Sequence, residues 1–155
     1  MNSPSLRVTY GTVRGYKEGS TELSPITLLG GAFDRHTGRE PFVLPPSWLA
    51  AKGRLKASTP LNFVSTLDII GGNSGSPVLN RDAQVVGTIF DGNIPSLGGA
   101  FFYDDTANRA VSVHTSGLFE VLRGVYNAGP LLKELQSANT QAAVKTPPAQ
   151  APAPK

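Results

Sequence analysis

A serine set among glycines is the grouping in this 155-residue chain whose residue types and spacing best suit covalent chemistry. It lies in Gly71-Gly72-Asn73-Ser74-Gly75-Ser76-Pro77-Val78, a glycine-rich turn that presents Ser74 just before an apolar stretch. Glycines on both sides of a serine let the backbone fold so that the amides of Gly72 and Ser74 point the same way. Two such amides hold a developing oxyanion beside an attacking Oγ, so Ser74 reads as a nucleophile and Gly72 as an oxyanion-hole amide. Gly, Asn, Ser and Pro are also the usual formers of tight turns, and the spacing alone supports either role.

Other chemistries find less in the chain. There is no cysteine and there are two histidines, which removes thiolate nucleophiles and thiolate metal sites and makes a His-rich metal centre a poor fit. Asp104 and Asp105 are adjacent, so on an extended strand they face opposite sides and lack a suitably spaced third ligand. With Asp91 and Arg109 they read as ion-pairing residues of loops. The expectation is therefore no metal and no cofactor. The charge balance, 14 basic against 11 acidic residues, is scattered, and no basic groove accompanies Trp48 or Phe101-Phe102-Tyr103, so nucleic acid is not an expected partner. These aromatics read as core or cleft wall. No apolar run is long enough for a membrane span, and residues 1–10 lack the order of a signal peptide.

The elements that must position Ser74 follow from composition and pattern. Charged residues make up only 16% of the chain while Gly (17) and Pro (13) are abundant, which favours short strands and turns over long amphipathic helices. The segment Leu6 to Tyr16 reads as one long strand with Gly11 at a bulge, and strands are expected at 62–66, 77–80, 84–90 and 110–114, with a hairpin turn at 81–83. A short helix fits 47–55, with Ser47 near its N-cap. Leu118, Val121, Leu122 and Val125 predict an amphipathic helix capped by Thr115 or Ser116, and a second helical piece fits 130–136. From Ser137 the chain is rich in Ala and Pro, without acids or aromatics, and is expected to be a disordered tail (137–155), leaving 1–136 as one folded unit.

The Ser74 motif resembles the nucleophile motif of chymotrypsin-like serine peptidases, glutamyl endopeptidases among them. Three longer strings, TPLNFVSTLDIIGGNSGSPVLN (59–80), VVGTIFDGNIPSL (85–97) and YDDTANRAVSVHTSG (103–117), resemble the C-terminal portion of the bacterial dipeptidyl-peptidase 7 and 11 family. That resemblance implies a mainly β fold, the second β-barrel of an incomplete two-barrel peptidase, followed by a C-terminal helix. It implies peptide substrates with a free amino terminus. It also implies that the catalytic His and Asp lie in a first barrel, and the amino-terminus-binding residues in a helical domain, both outside this chain. A periplasmic or secreted full-length enzyme follows, and a homodimer is admitted. Leu67 departs from the polar Asn the family carries there, beside a retained Asp68.

The resemblance also places Gly92, in IFDGN, at the base of the pocket for the substrate's penultimate side chain. Acidic-specific members resemble one another in placing an Arg there; a Gly removes that charge and favours hydrophobic side chains. His36 and His114 receive no catalytic role from the match and read as structural or solvated. The chain alone is expected to be inactive. Two alternatives stand beside this reading, a catalytically silent binding module and a glutamyl-endopeptidase-like serine protease.

Overall fold

The computed structural model describes residues 8–145. Two short strands, β1 (Tyr16–Glu18) and β2 (Thr21–Leu23), pair antiparallel, and β3 (Ile26–Leu28) leads directly into helix α1 (Leu29–Asp34). Helix α2 (Pro46–Ala51) continues into a 3-10 turn at Lys52–Arg54 before β4 (Pro60–Ser65). Strands β5 (Pro77–Leu79), β6 (Val85–Gly92) and β7 (Ala110–His114) follow, then α3 (Thr115–Gly124) and α4 (Gly129–Lys145). The main sheet has five antiparallel strands in the order β3-β4-β7-β6-β5, so β4 pairs with a strand far along the chain. Its edges, β3 and β5, are three residues each. The expected mainly β organisation with a C-terminal helix is what forms. No helix among the described residues is long and apolar enough to cross a membrane.

Four expected strands appear close to their expected positions, and the long one does not. From Tyr10 to Gly15 the chain makes only an isolated bridge, Val13 to Ser65, before β1 begins. It runs beside residues 64–68 through single bonds: the Thr66 amide donates to Thr12 O (3.0 Å), Thr12 N to Thr66 Oγ1 (3.0 Å) and Asp68 N to Thr9 Oγ1 (3.1 Å). Gly11 explains the irregularity, because a Cβ there would stand 2.6 Å from Thr66 Oγ1. The two backbones lie too close for a regular ladder of side chains. Leu6 and Arg7 lie outside the described residues.

The helices differ from expectation in their caps and faces. Pro45 occupies the N-cap of α2 and Pro46 its first turn, so Ser47 is already inside the helix. Helix α3 is capped by His114, whose Nδ1 accepts from Ser116 N–H at 3.0 Å, rather than by Thr115 or Ser116. Its buried face is Gly117, Glu120 and Val121, while Leu118 is exposed. Glu120 sits on that face because Oε1 accepts from Lys56 N–H (2.9 Å) and Oε2 pairs with Arg123. Val121 joins Leu29 and Phe33 in a core that Leu44, Trp48, Leu55, Leu61 and Val125 complete. Helix α4 extends past the expected 136 to Lys145, since the run SANTQAAVK holds no Gly or Pro to stop it. The Pro-rich remainder of the expected tail lies outside the described residues.

Where α3 meets the sheet, packing leaves no slack. Phe63 on β4 is buried and meets the His114 ring edge-on at 5.7 Å, and Gly87 on β6 lies beneath it. A Cβ at Gly87 would stand 2.5 Å from Phe63 Cε1 and 2.7 Å from Val113 O. Gly87→Ala is therefore expected to lower the unfolding free energy by about 1–3 kcal/mol, the usual cost of overpacking. Gly31→Ala, where a Cβ meets nothing within 4 Å, should not lower it; urea midpoints of the two variants make the comparison.

Burial pushes the His114 pKa below its ordinary 6.5, and its cap bond requires the neutral ring, since an imidazolium has no lone pair on Nδ1. The unfolded chain then binds the proton more readily than the folded one, so stability held above the ordinary pKa is lost as pH falls toward the lowered folded value. His114→Asn, which can still cap, is expected to flatten the fall of the melting midpoint between about pH 7.5 and pH 5.5, the range in which an ordinary histidine titrates. An unchanged slope in that variant would assign the pH dependence elsewhere.

Candidate active site

The Ser74 turn hangs between the end of β4 and β5 and is held by its own backbone. Ile70 N–H donates to Asn73 Oδ1 (2.8 Å), Asn73 N–H to Ile70 O (3.2 Å) and Ser76 N–H to Asn73 O (3.0 Å). Gly72 and Gly75 take φ of +99° and +89°, a region that side chains avoid, which is why these two positions are glycine. The turn is fastened to β6 by Gly75 N–H to Ile89 O (2.8 Å) and Ile89 N–H to Ser76 O (3.0 Å). Among the described residues, the amides of Gly72 and Ser74 donate to nothing, whereas the intervening amide of Asn73 is spent.

Strand β6 supplies the opposite wall. Its register against β7 shifts between Ile89 and Asp91, so Phe90 drops out of the ladder. The freed Phe90 carbonyl accepts the exposed Ser74 hydroxyl at 3.2 Å. Two residues on, β6 ends at Gly92. Ser74 and Gly92 line the same pocket of about 260 Å³, together with the apolar Ile69, Ile70, Ile89, Phe90 and Leu97 and the polar Asn73, Asp91 and Ser96. This is smaller than the roughly 300–1,000 Å³ of clefts that enclose whole small ligands, and it suits a single side chain.

The side of the pocket formed by Gly92 and Ser96 is braced through Asn93. Asn93 N–H donates to Arg109 O (2.9 Å), its Nδ2 to Ala107 O (2.8 Å), and its Oδ1 accepts from Arg109 N–H (2.9 Å). Arg109 is itself buried at 2% exposure, and its guanidinium donates to the carbonyls of Arg14, Gly15, Asp105, Asn108 and Thr106. Burial, followed by the nearby charge of Arg14, lowers its pKa from the ordinary value. The charged neighbourhood of the sequence is thus only partly an ion-pair network: Asp105 pairs with Arg14 at 3.2 Å, while Asp104 turns inward on its own loop. Thr106 donates to Asp104 Oδ1 from its hydroxyl (2.6 Å) and its amide (2.8 Å), holding that carboxyl below its ordinary range. Asp91 Oδ1 accepts from Gly92 N–H at 2.8 Å. A larger hollow of about 890 Å³, bordered by Arg14, Tyr16, Lys17, Glu22 and Arg109, contains no residue of the Ser74 turn.

Neither histidine lines the Ser74 pocket. His36 Nδ1 accepts from Leu44 N–H at 3.0 Å, and His114 caps α3. Both are structural acceptors. Leu67 is half-buried and Asp68 exposed, and neither reaches the pocket. Trp48 belongs to the core, but Phe101 and Phe102 are exposed beside the 3-10 segment Ile94–Ala100. Sequence reasoning did not identify Asn93 or Ser96; the Asn-x-Pro-Ser run that opens this segment was the available signal.

Comparison with known proteins relates this chain to peptidases. The family model Peptidase S46 matches residues 2–137. An Asp/Glu-specific dipeptidyl-peptidase of Shewanella putrefaciens is 31% identical across 84% of this chain and 22% of its own length. A dipeptidyl-peptidase 7 of Phocaeicola vulgatus is 33% identical across 70% of this chain and 16% of its own. The crystal structure of Porphyromonas endodontalis DPP11 in complex with the dipeptide Arg-Asp superimposes with a TM-score of 0.75 at 27% identity, over 83% of this chain and 20% of that one. The chain thus spans about a fifth of the length of the relatives it matches.

Proposed function

As the chain belongs to the peptidase S46 family, we propose that it is the C-terminal part of a serine dipeptidyl-peptidase, the second barrel of a chymotrypsin-like catalytic domain. One observation carries the reading: Ser74 and Gly92 line one pocket, and Ser74 sits in a turn where the Gly72 and Ser74 amides are unspent. In this reading Ser74 Oγ leaves the Phe90 carbonyl and attacks the carbonyl carbon of the substrate's second residue. The new C–O bond forms as the carbonyl π bond moves onto oxygen, and the two amides receive that oxyanion. Collapse expels the shortened peptide's amine, leaving the dipeptide esterified to Ser74 until water releases it.

The serine proton needs a base, and this chain offers none in place, because both imidazoles spend Nδ1 on backbone amides outside the pocket. We assign the base and the recognition of the substrate's free amino terminus to the remaining four-fifths of the enzyme, which we place in the periplasm or outside the cell. Specificity follows from Gly92. Without a cation beneath it, a buried Asp or Glu side chain loses its hydration and finds no partner, a penalty of roughly several kcal/mol. An aliphatic or aromatic side chain gains about 1.5–3 kcal/mol on burial instead.

The purified chain is expected to cleave dipeptidyl reporters no faster than buffer. The complete enzyme carrying this segment should prefer Leu or Phe over Asp or Glu as second residue, and Ser74→Ala should cost about 10⁴-fold or more in kcat. Turnover by the chain alone, or an acidic preference in the complete enzyme, would count against the assignment.

Ile94, Leu97, Phe101 and Phe102 are at least 65% exposed and form an apolar rim that we place against the rest of the enzyme. The isolated chain is expected to self-associate and to bind a hydrophobic dye. Sedimentation as a dye-silent monomer would remove that interface and leave the silent binding module without its surface.

A further inference from the structure

Gly92 does not bound the pocket by itself. A Cβ built on it would stand 2.2 Å from Ser96 Oγ and 3.3 Å from Ser96 Cβ, so the serine hydroxyl fills the space into which a side chain at 92 would grow. That hydroxyl is not free to swing aside without loss. It donates to Asn93 O at 2.6 Å, and the Ser96 amide donates to the same carbonyl at 2.9 Å. Asn93 in turn is fixed through its bonds to Ala107 and Arg109. Because its proton is committed to Asn93, the Ser96 oxygen offers the pocket only lone pairs.

We propose that Ser96 is a second specificity-determining residue, whose hydroxyl closes the pocket floor and limits the length of the side chain admitted. The proposal rests on the reading of this pocket as the seat of the substrate's second side chain. It has two consequences. Removing the hydroxyl deepens the pocket by about one methylene-sized volume, which favours longer apolar side chains over short ones. Positions 92 and 96 are also coupled: an Arg at 92 cannot settle at the base while the Ser96 hydroxyl occupies its first atoms. A carboxylate meets lone pairs at the floor, which adds to the rejection already due to the missing cation.

The experiment measures kcat/KM in the complete enzyme carrying this segment, on matched dipeptidyl reporters with Val, Leu, Met, Phe, Asp or Glu second. Ser96→Ala is expected to raise the Met-to-Val or Phe-to-Val ratio about tenfold, and Ser96→Thr, which keeps the hydroxyl and adds a methyl, to lower it. Gly92→Arg alone should lose activity on all reporters without an acidic preference, and Gly92→Arg with Ser96→Gly should recover activity with Asp and Glu preferred. Unchanged ratios in both Ser96 variants, or a single Gly92→Arg as acid-preferring as the double variant, would overturn the role of Ser96. Loss of turnover in Ser74→Ala keeps the functional reading standing in that event. Turnover surviving Ser74→Ala overturns both.

Discussion

Burying the Arg109 guanidinium removes its hydration, and the fold recovers that cost with carbonyl oxygens rather than with a carboxylate. The carbonyls come from two places: Arg14 and Gly15 before β1, and residues 105–108 before β7. Only a cation with donors spread in a plane can hold so many acceptors at once. An ion pair would have satisfied the charge with one neighbour; a set of carbonyls satisfies it by fixing two stretches of backbone that are far apart in sequence. Tyr16 lies beneath the same guanidinium at 5.9 Å, so the start of the first hairpin is located by the same group.

From Arg109 the constraint passes to the pocket through one residue. Asn93 reads the backbone on both sides of the Arg109 amide and carries the 3-10 segment that holds Ser96 and Leu97. The glycine-rich turn is placed independently, by bonds to Ile89 and by the bulge that exposes the Phe90 carbonyl. The Ser74 turn and the Ser96 segment thus hang from opposite ends of one short stretch, residues 89–93. Both sides of the pocket therefore share one support at the end of β6, the arrangement that positions a site precisely.

The sequence made some of this legible and hid the rest for physical reasons. Turn chemistry is local, so the Ser74 turn, the 81–83 hairpin and four strands could be placed from a few residues each. That Ser74 and Gly92 face one pocket came from family resemblance; no spacing rule brings a turn and a strand end together. The N-terminal segment reads as a strand because its apolar residues alternate, while the reason for its irregularity, the close approach of Gly11 to the backbone of Thr66 and Leu67, lies 55 positions and more away. On α3 the expected Val121 and Val125 do face the core, but the buried Glu120 is legible only once Lys56 is known to approach it, and Leu118 stays exposed. His114 as a cap departs from the usual Ser, Thr, Asn and Asp.

The sheet ends in two very short strands, and the outer one begins with a residue that has no amide proton. Pro77 leaves β5 unable to donate at its first position, and three residues provide too short a template for another strand to extend. Any contact between copies of this chain is therefore steered toward side chains of the apolar rim and away from backbone ladders. Such clusters dissolve on dilution or when the proper surface arrives, whereas cross-β growth would be effectively permanent. The exposed rim of Ile94, Leu97, Phe101 and Phe102 thus lies on a fold whose sheet edges give fibrillar growth little to build on.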